Sequence, residues 1–133
     1  MENHIKLLNY KINKIEYKFN EQIKPGTQFQ IKPKIECKMG RKDKNLFVNI
    51  SIRINEDISS PVPFDLEVAL FGQFVIDIDS DQKTLLAEAI DTLYPYLRAA
   101  VAGITVNCNI PAYIMPAINA QAVSDNMEPG NVN

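Results

Sequence analysis

The chain has 133 residues, 46% hydrophobic and 23% charged, with a net charge of -2, which suits one compact domain and excludes collagen, coiled-coil arrays and a wholly disordered polymer. Charge is unevenly spread: residues 1–44 hold eleven basic and five acidic residues, net +6, and residues 45–133 hold three and eleven, net -8. A basic half beside an acidic half favours contacts between surfaces of opposite sign over the uniformly positive field of a nucleic-acid binder.

The first 78 residues carry strand periodicity. Tyr10 and Ile12 alternate on even positions and Ile15, Tyr17 and Phe19 on odd ones, so a bulge near Asn13 and Lys14 is expected to return the apolar residues of a long first strand to the core side. Pro25-Gly26 ends that strand in a turn. In the second strand Phe29, Ile31, Ile35, Cys37 and Met39 oppose Lys32, Lys34, Glu36 and Lys38. Pro33 cannot donate to a ladder, so this strand is expected at an edge or broken there. Leu46, Val48, Ile50, Ile52 and Ile54 form one side of a third strand. Phe64, Leu66, Val68 and Leu70 form one side of a fourth, which resumes at Phe74, Ile76 and Ile78 beyond Gly72.

After Ser80 the period changes. Leu86, Ile90, Leu93, Leu97, Val101 and Ile104 recur at helical spacing, a single apolar stripe capped by Ser80 or Asp81 and kinked at Pro95. Pro111 and Pro116 end the helix by Asn109 and hold Ile110 to Ile118 in an extended loop. The fold class expected is α+β: a four-stranded antiparallel sheet packed with one long kinked helix, residues 1–119 forming a single domain and 120–133 a disordered tail.

Catalytic constellations are missing from the pattern. His4 is the only histidine and is expected as an exposed terminal residue. Asp77, Asp79, Asp81 and Glu88 approach a calcium-loop count, but Gln82 stands where that loop needs glycine and a strand precedes it. The five glycines are isolated from one another, so no phosphate-cradling loop exists. The chain is therefore not expected to be an enzyme, and no cofactor or metal is implied. Cys37 and Cys108 have no CxxC spacing and read as free thiols. Residues 1–10 lack the apolar run of a signal peptide, and Leu85 to Val106 contains Glu88, Asp91 and Arg98; a cytoplasmic protein without membrane insertion is expected. The apolar loop remains unexplained by chemistry: Ile110, Tyr113, Ile114, Met115 and Ile118 either pack on the sheet or border an exposed groove.

Leu93-Tyr94-Pro95-Tyr96-Leu97-Arg98, then Asn109-Ile110-Pro111 and Met115-Pro116-Ala117-Ile118-Asn119, resemble the SecB export chaperones, which carry an aromatic-Pro-Tyr-x-Arg segment in their long helix and a Pro-x-x-Asn closing the following loop. The strand from Phe64 to Ile76, with Glu67-Val68 and Gly72, is similar to the family's fourth. The resemblance implies a homotetramer, a dimer of dimers with helices sandwiched between sheets. It also implies an ATP-independent holdase that keeps unfolded preproteins competent for export. Client contacts would fall on Phe29, Ile110, Tyr113, Ile114, Met115 and Ile118, and the translocase motor SecA would dock at Asp65 and Glu67. With fourteen residues after Asn119, a short form lacking a full second helix is expected. Three alternatives stay open: a SecB-like chaperone devoted to one partner such as an antitoxin, a sheet binding nucleic acid through Lys32, Lys34, Lys38, Arg41 and Lys42, and a small enzyme. Nucleic acid is not the expected partner, because aromatic and basic residues of the second strand fall on opposite faces.

Overall fold

The computed structural model describes residues 3–19, 31, 33–54, 64–110, 112–116, 118 and 120. Among them the chain forms β1 (Ile5–Phe19), β2 (Lys34–Lys42), β3 (Asn45–Ile54), β4 (Phe64–Ile76) and α1 (Gln82–Asn107). The strands pair antiparallel in the order β1-β4-β3-β2, so β1 and β2 are the edges. Pro33 lies just before the first ladder residue of β2, as its missing N–H requires. Of the expected tail 120–133 only Ala120 is described, and it is helical and buried in the core rather than disordered; residues 121–133, the Pro25-Gly26 turn and Phe29 lie outside the described residues.

The core is built by alternation on the central strands. Leu46, Val48, Ile50, Ile52 and Ile54 of β3 and Phe64, Leu66, Val68, Leu70, Phe74 and Ile76 of β4 are all buried against α1, while their neighbours reach the opposite face. Asp43 takes a left-handed φ of 55° in the β2–β3 turn, a conformation its short polar side chain tolerates.

β1 begins at Ile5, ahead of the expected Tyr10, and its pairing with β4 slips at two places, between Leu7 and Asn9 and between Ile12 and Lys14. The second slip is the bulge read from the change of apolar phase. It sets the side correctly but does not bury it. Tyr10, Ile12, Ile15 and Phe19 pair with Gly72, Leu70, Val68 and Phe64 on the helix side of the sheet, yet each is between 41% and 52% exposed. The reason is placement: α1 lies chiefly over β4 and β3, and one helix cannot cover four strands.

His4 is not the loose terminal residue expected. Its backbone N–H donates to Glu88 Oε1 at 2.8 Å, its Nδ1 lies 2.5 Å from Glu88 Oε2, and its carbonyl accepts from the N–H groups of Asp77 and Ile78. The start of β1 is thus fastened to α1.

Asp81 caps α1 by accepting from Thr84 N at 3.3 Å and Thr84 Oγ1 at 2.6 Å, satisfying one of the orphan donors of the first turn. Leu85, Leu86, Ile90, Leu93, Leu97 and Val101 are buried, and the chain stays helical through the exposed Pro95. α1 packs closely on β4 at Gly72, where a Cβ would stand 2.7 Å from Leu93 Cδ2. Among the described residues no helix is long and apolar enough to cross a membrane.

Candidate functional site

The end of α1 decides the course of the apolar loop. Asn109 takes a left-handed φ of 62°, its N–H donates to Val106 O at 3.0 Å, and Ile110 N–H donates to Thr105 O at 3.2 Å. This is a Schellman ending with asparagine in the left-handed position that glycine usually fills. It turns the chain back along the helix.

Two side chains of α1 then hold the returning segment. Thr105, fully buried, donates to Val101 O and Ala102 O within its own helix and accepts from Tyr113 N–H at 2.9 Å. Tyr94 Oη, about three turns earlier on α1, donates to Pro116 O. Residues 112–116 are accordingly neither helix nor strand, but they are pinned on both sides of Ile114.

That pinning sorts the expected contact residues. Ile114 is 62% exposed, whereas Met115 is 0% exposed within the core. Ile110, Tyr113 and Ile118 are half-buried and pack against that core. Phe29 lies outside the described residues. Met115 is therefore part of the scaffold within the protomer, because alternating residues of an extended segment point to opposite sides and the side occupied by Met115 faces the core.

Burial pushes the hydroxyls of Tyr94 and Tyr113 up from the ordinary tyrosine range. The Tyr17 hydroxyl is also raised, by burial and then by the neighbouring Cys108, so the helix end and the second half of β1 are close. Cys37 and Cys108 are free, and burial pushes the Cys37 thiol up to about 12, far from a reactive thiolate. Among the described residues no cluster of His, Cys, Asp or Glu could hold a metal.

Asp65 and Glu67 lie on the opposite face of the sheet, half-buried, bordering a cleft of about 470 Å³ shared with Glu16, Tyr17 and Arg53. Glu67 Oε2 stands 3.3 Å from Lys14 Nζ and 3.4 Å from Arg53 Nε. Its charge is balanced within the sheet.

A family model of preprotein translocase subunit SecB matches residues 2–128. The chain belongs to the SecB family. SecB proteins are chaperones, and the chain's function is that of a SecB-type chaperone. An uncharacterized protein of Methanocaldococcus jannaschii, MJ0357, is 30% identical over 132 residues, covering 93% of this chain and 84% of that protein. Among solved structures, the Rv1957 SecB-like chaperone of Mycobacterium tuberculosis, in complex with a ChAD peptide from the Rv1956 HigA1 antitoxin, has a TM-score of 0.66 at 14% identity, covering 86% of this chain and 91% of that one. A Streptococcus agalactiae protein of unknown function has a TM-score of 0.50 at 9% identity, over 85% of this chain and 97% of that one. Both structural likenesses concern the fold: a four-stranded antiparallel sheet packed against one long helix, as in SecB.

The anchors Thr105 and Tyr94 escaped the sequence reading, although one signal was present. Thr105 follows Val101 by four residues, so a hydroxyl stands on the apolar stripe where an aliphatic residue would continue it. The His4–Glu88 contact, 84 positions apart, left no such trace.

Proposed function

We propose that this SecB-type chaperone is an ATP-independent holdase of the cytoplasm that binds unfolded preproteins and keeps them competent for export. The observation that carries this reading is Ile114, held out into solvent on a segment pinned by Thr105 and Tyr94. A pre-ordered apolar contact loses little conformational entropy when it meets an unfolded chain, and burial of one such side chain contributes roughly 1.5–3 kcal/mol. That is too weak alone and suits repeated contacts along one client. Tyr113, Ile110 and Ile118 form the half-buried floor beside it, and Phe29 is assigned to the same site from the sequence; Met115 supports the floor from beneath.

Assembly belongs to the same reading. The free edge of β1, fifteen residues long, exposes Tyr10, Ile12, Ile15 and Phe19 on the helix side, and Tyr10 stacks on the exposed Tyr96 of α1 at 4.2 Å between ring centroids. An apolar strip along an open edge favours a second copy, and this supports the homotetramer.

The test is suppression of aggregation of a slow-folding preprotein. Ile114→Asp is expected to abolish most of the suppression while leaving the urea midpoint unchanged; full suppression by that variant would remove the loop from the client site. A second reading, a chaperone devoted to one partner, is favoured by the antitoxin peptide bound to Rv1957. Similar protection of several unrelated preproteins supports the general holdase, and protection of one alone supports the devoted form. Delivery to SecA through Asp65 and Glu67 is the finer part of the proposal, measured as loss of SecA binding in Glu67→Gln.

A further inference from the structure

The outer face of the sheet, opposite α1, divides into two halves of different character. Towards one end the cations sit among carboxylates: Lys14 and Arg53 flank Glu67, Lys34 Nζ lies 3.4 Å from Glu36 Oε1, and Lys18 is opposite Asp65 in the register. Towards the other end the register places Lys11, Phe71, Asn49 and Lys38 in one row across the four strands, and Lys6, Val75, Asn45 and Lys42 in another. Phe47 and Gln73 fill the row between them. The strand rows of this second half hold four lysines and no carboxylate; the nearest ones in sequence, Asp43 in the β2–β3 turn and Asp77 past the end of β4, fall just beyond the Lys6–Lys42 row. All four lysines are exposed, and among the described residues none is in an ion pair.

At its centre Phe47 and Phe71 lie nearly parallel, 18° between planes and 6.1 Å between centroids. Beside them the buried Asn49 Oδ1 accepts no hydrogen bond from the described residues. Asn49 and Lys38 also line a depression of about 290 Å³ at the border with the ion-paired half. A cationic frame around an aromatic pair, with an unused acceptor at its edge, has the chemistry of a ligand site.

From this we infer that the frame is a docking surface for a short acidic polypeptide segment bearing an aromatic or aliphatic side chain. The lysines on β1 and β2 are three strand spacings apart, about 14 Å, and Lys38 and Lys42 about 13 Å along the strand, the reach of four to five extended residues. Carboxylates of the segment meet the lysines, and its apolar side chain covers Phe47 and Phe71. A longer polyanion is disfavoured, because beyond the frame it would run over Glu36 and Glu67 and meet a chain whose residues 45–133 carry net -8. The surface is separate from Ile114 and independent of client holding.

The experiment is fluorescence anisotropy of the full chain with three labelled probes: a short acidic peptide containing one phenylalanine, the same peptide with lysine in place of its carboxylates, and oligodeoxythymidine of matching length. The acidic peptide is expected to bind, to weaken as salt rises, and to lose roughly tenfold in affinity with Lys11→Glu and Lys38→Glu combined. Lys34→Gln with Glu36→Gln, in the ion-paired half, is expected to leave binding within about twofold. Far-UV circular dichroism checks the fold, and Lys6→Gln with Lys42→Gln supplies a second, milder loss if the first variant is unfolded. Absence of acidic-peptide binding, equal binding of the lysine peptide, or affinity unchanged in both lysine variants overturns the inference; tighter binding of oligodeoxythymidine overturns it in favour of a nucleic acid.

Discussion

Thr105 interrupts the apolar stripe of α1, and its hydroxyl is used three times: twice as donor to its own helix and once as acceptor for Tyr113 N–H. Thr105→Val keeps the shape and removes the acceptor, leaving that N–H part-buried and unpaired, at a cost of about 1–3 kcal/mol. Amide exchange at Tyr113 should accelerate in this variant, and unchanged protection would show that the hydroxyl does not hold the loop. The neighbours Ile114 and Met115 test the sorting itself. Met115→Ala, which opens a cavity in a fully buried site, should lower stability by about 2–5 kcal/mol in urea denaturation, whereas Ile114→Ala should change it by less than about 0.5 kcal/mol. Pro111 and Pro116 make this loop legible from the sequence as an extended apolar segment. They carry no information on which of its side chains turns inward, since that depends on the reversal at Asn109.

At the scale of elements, α1 and β4 meet where β4 has no side chain. Gly72→Ala would press a methyl on Leu93, itself fully buried, and within 3.2 Å of Phe74 Cε1; a loss of about 1–3 kcal/mol is expected, read as a lower urea midpoint at unchanged slope. The start of α1 offers a pH test. Arg41 donates to both carboxylate oxygens of Asp79 at 3.0 and 3.2 Å, and Thr84 donates to Asp81. The side-chain bond from Arg41 holds Asp79 below the usual carboxylate range, and that from Thr84 does the same for Asp81. Because the folded state favours the ionised forms, their contribution is present above the ordinary carboxylate value of about 4 and is lost as pH falls through the lowered values. Protection of the Ser80 and Thr84 amides, corrected for intrinsic exchange, should therefore fall as pH drops through these lowered values, and an Asp81→Ala variant should show low protection at Thr84 at every pH. The strands and helix themselves were readable because alternation on β3 and the helical stripe of α1 are each dictated by burial on one side. The cap chosen was Asp81 rather than Ser80, a choice between adjacent oxygens that only the local geometry makes.

For the whole molecule the open question is what covers β1. Its apolar residues sit on the correct side of the sheet and still face solvent in the protomer, so a second copy is the proposed cover. Ile12→Asp combined with Ile15→Asp should shift sedimentation from a tetramer to a smaller species. A wild-type chain that sediments as a monomer would end the assembly argument.

Local alternation, helical spacing and proline positions determined the α+β class, the strand bulge at Asn13, an edge or a break at Pro33 and the existence of an apolar loop, because each follows from which neighbours along the chain share a face or can join a ladder. Only the tertiary structure decided that β1 lies beside β4, that His4 clasps Glu88, that Met115 is buried while Ile114 is presented, and that four exposed lysines gather around Phe47 and Phe71. These relations depend on contacts between segments distant in sequence, which periodicity along the chain does not encode.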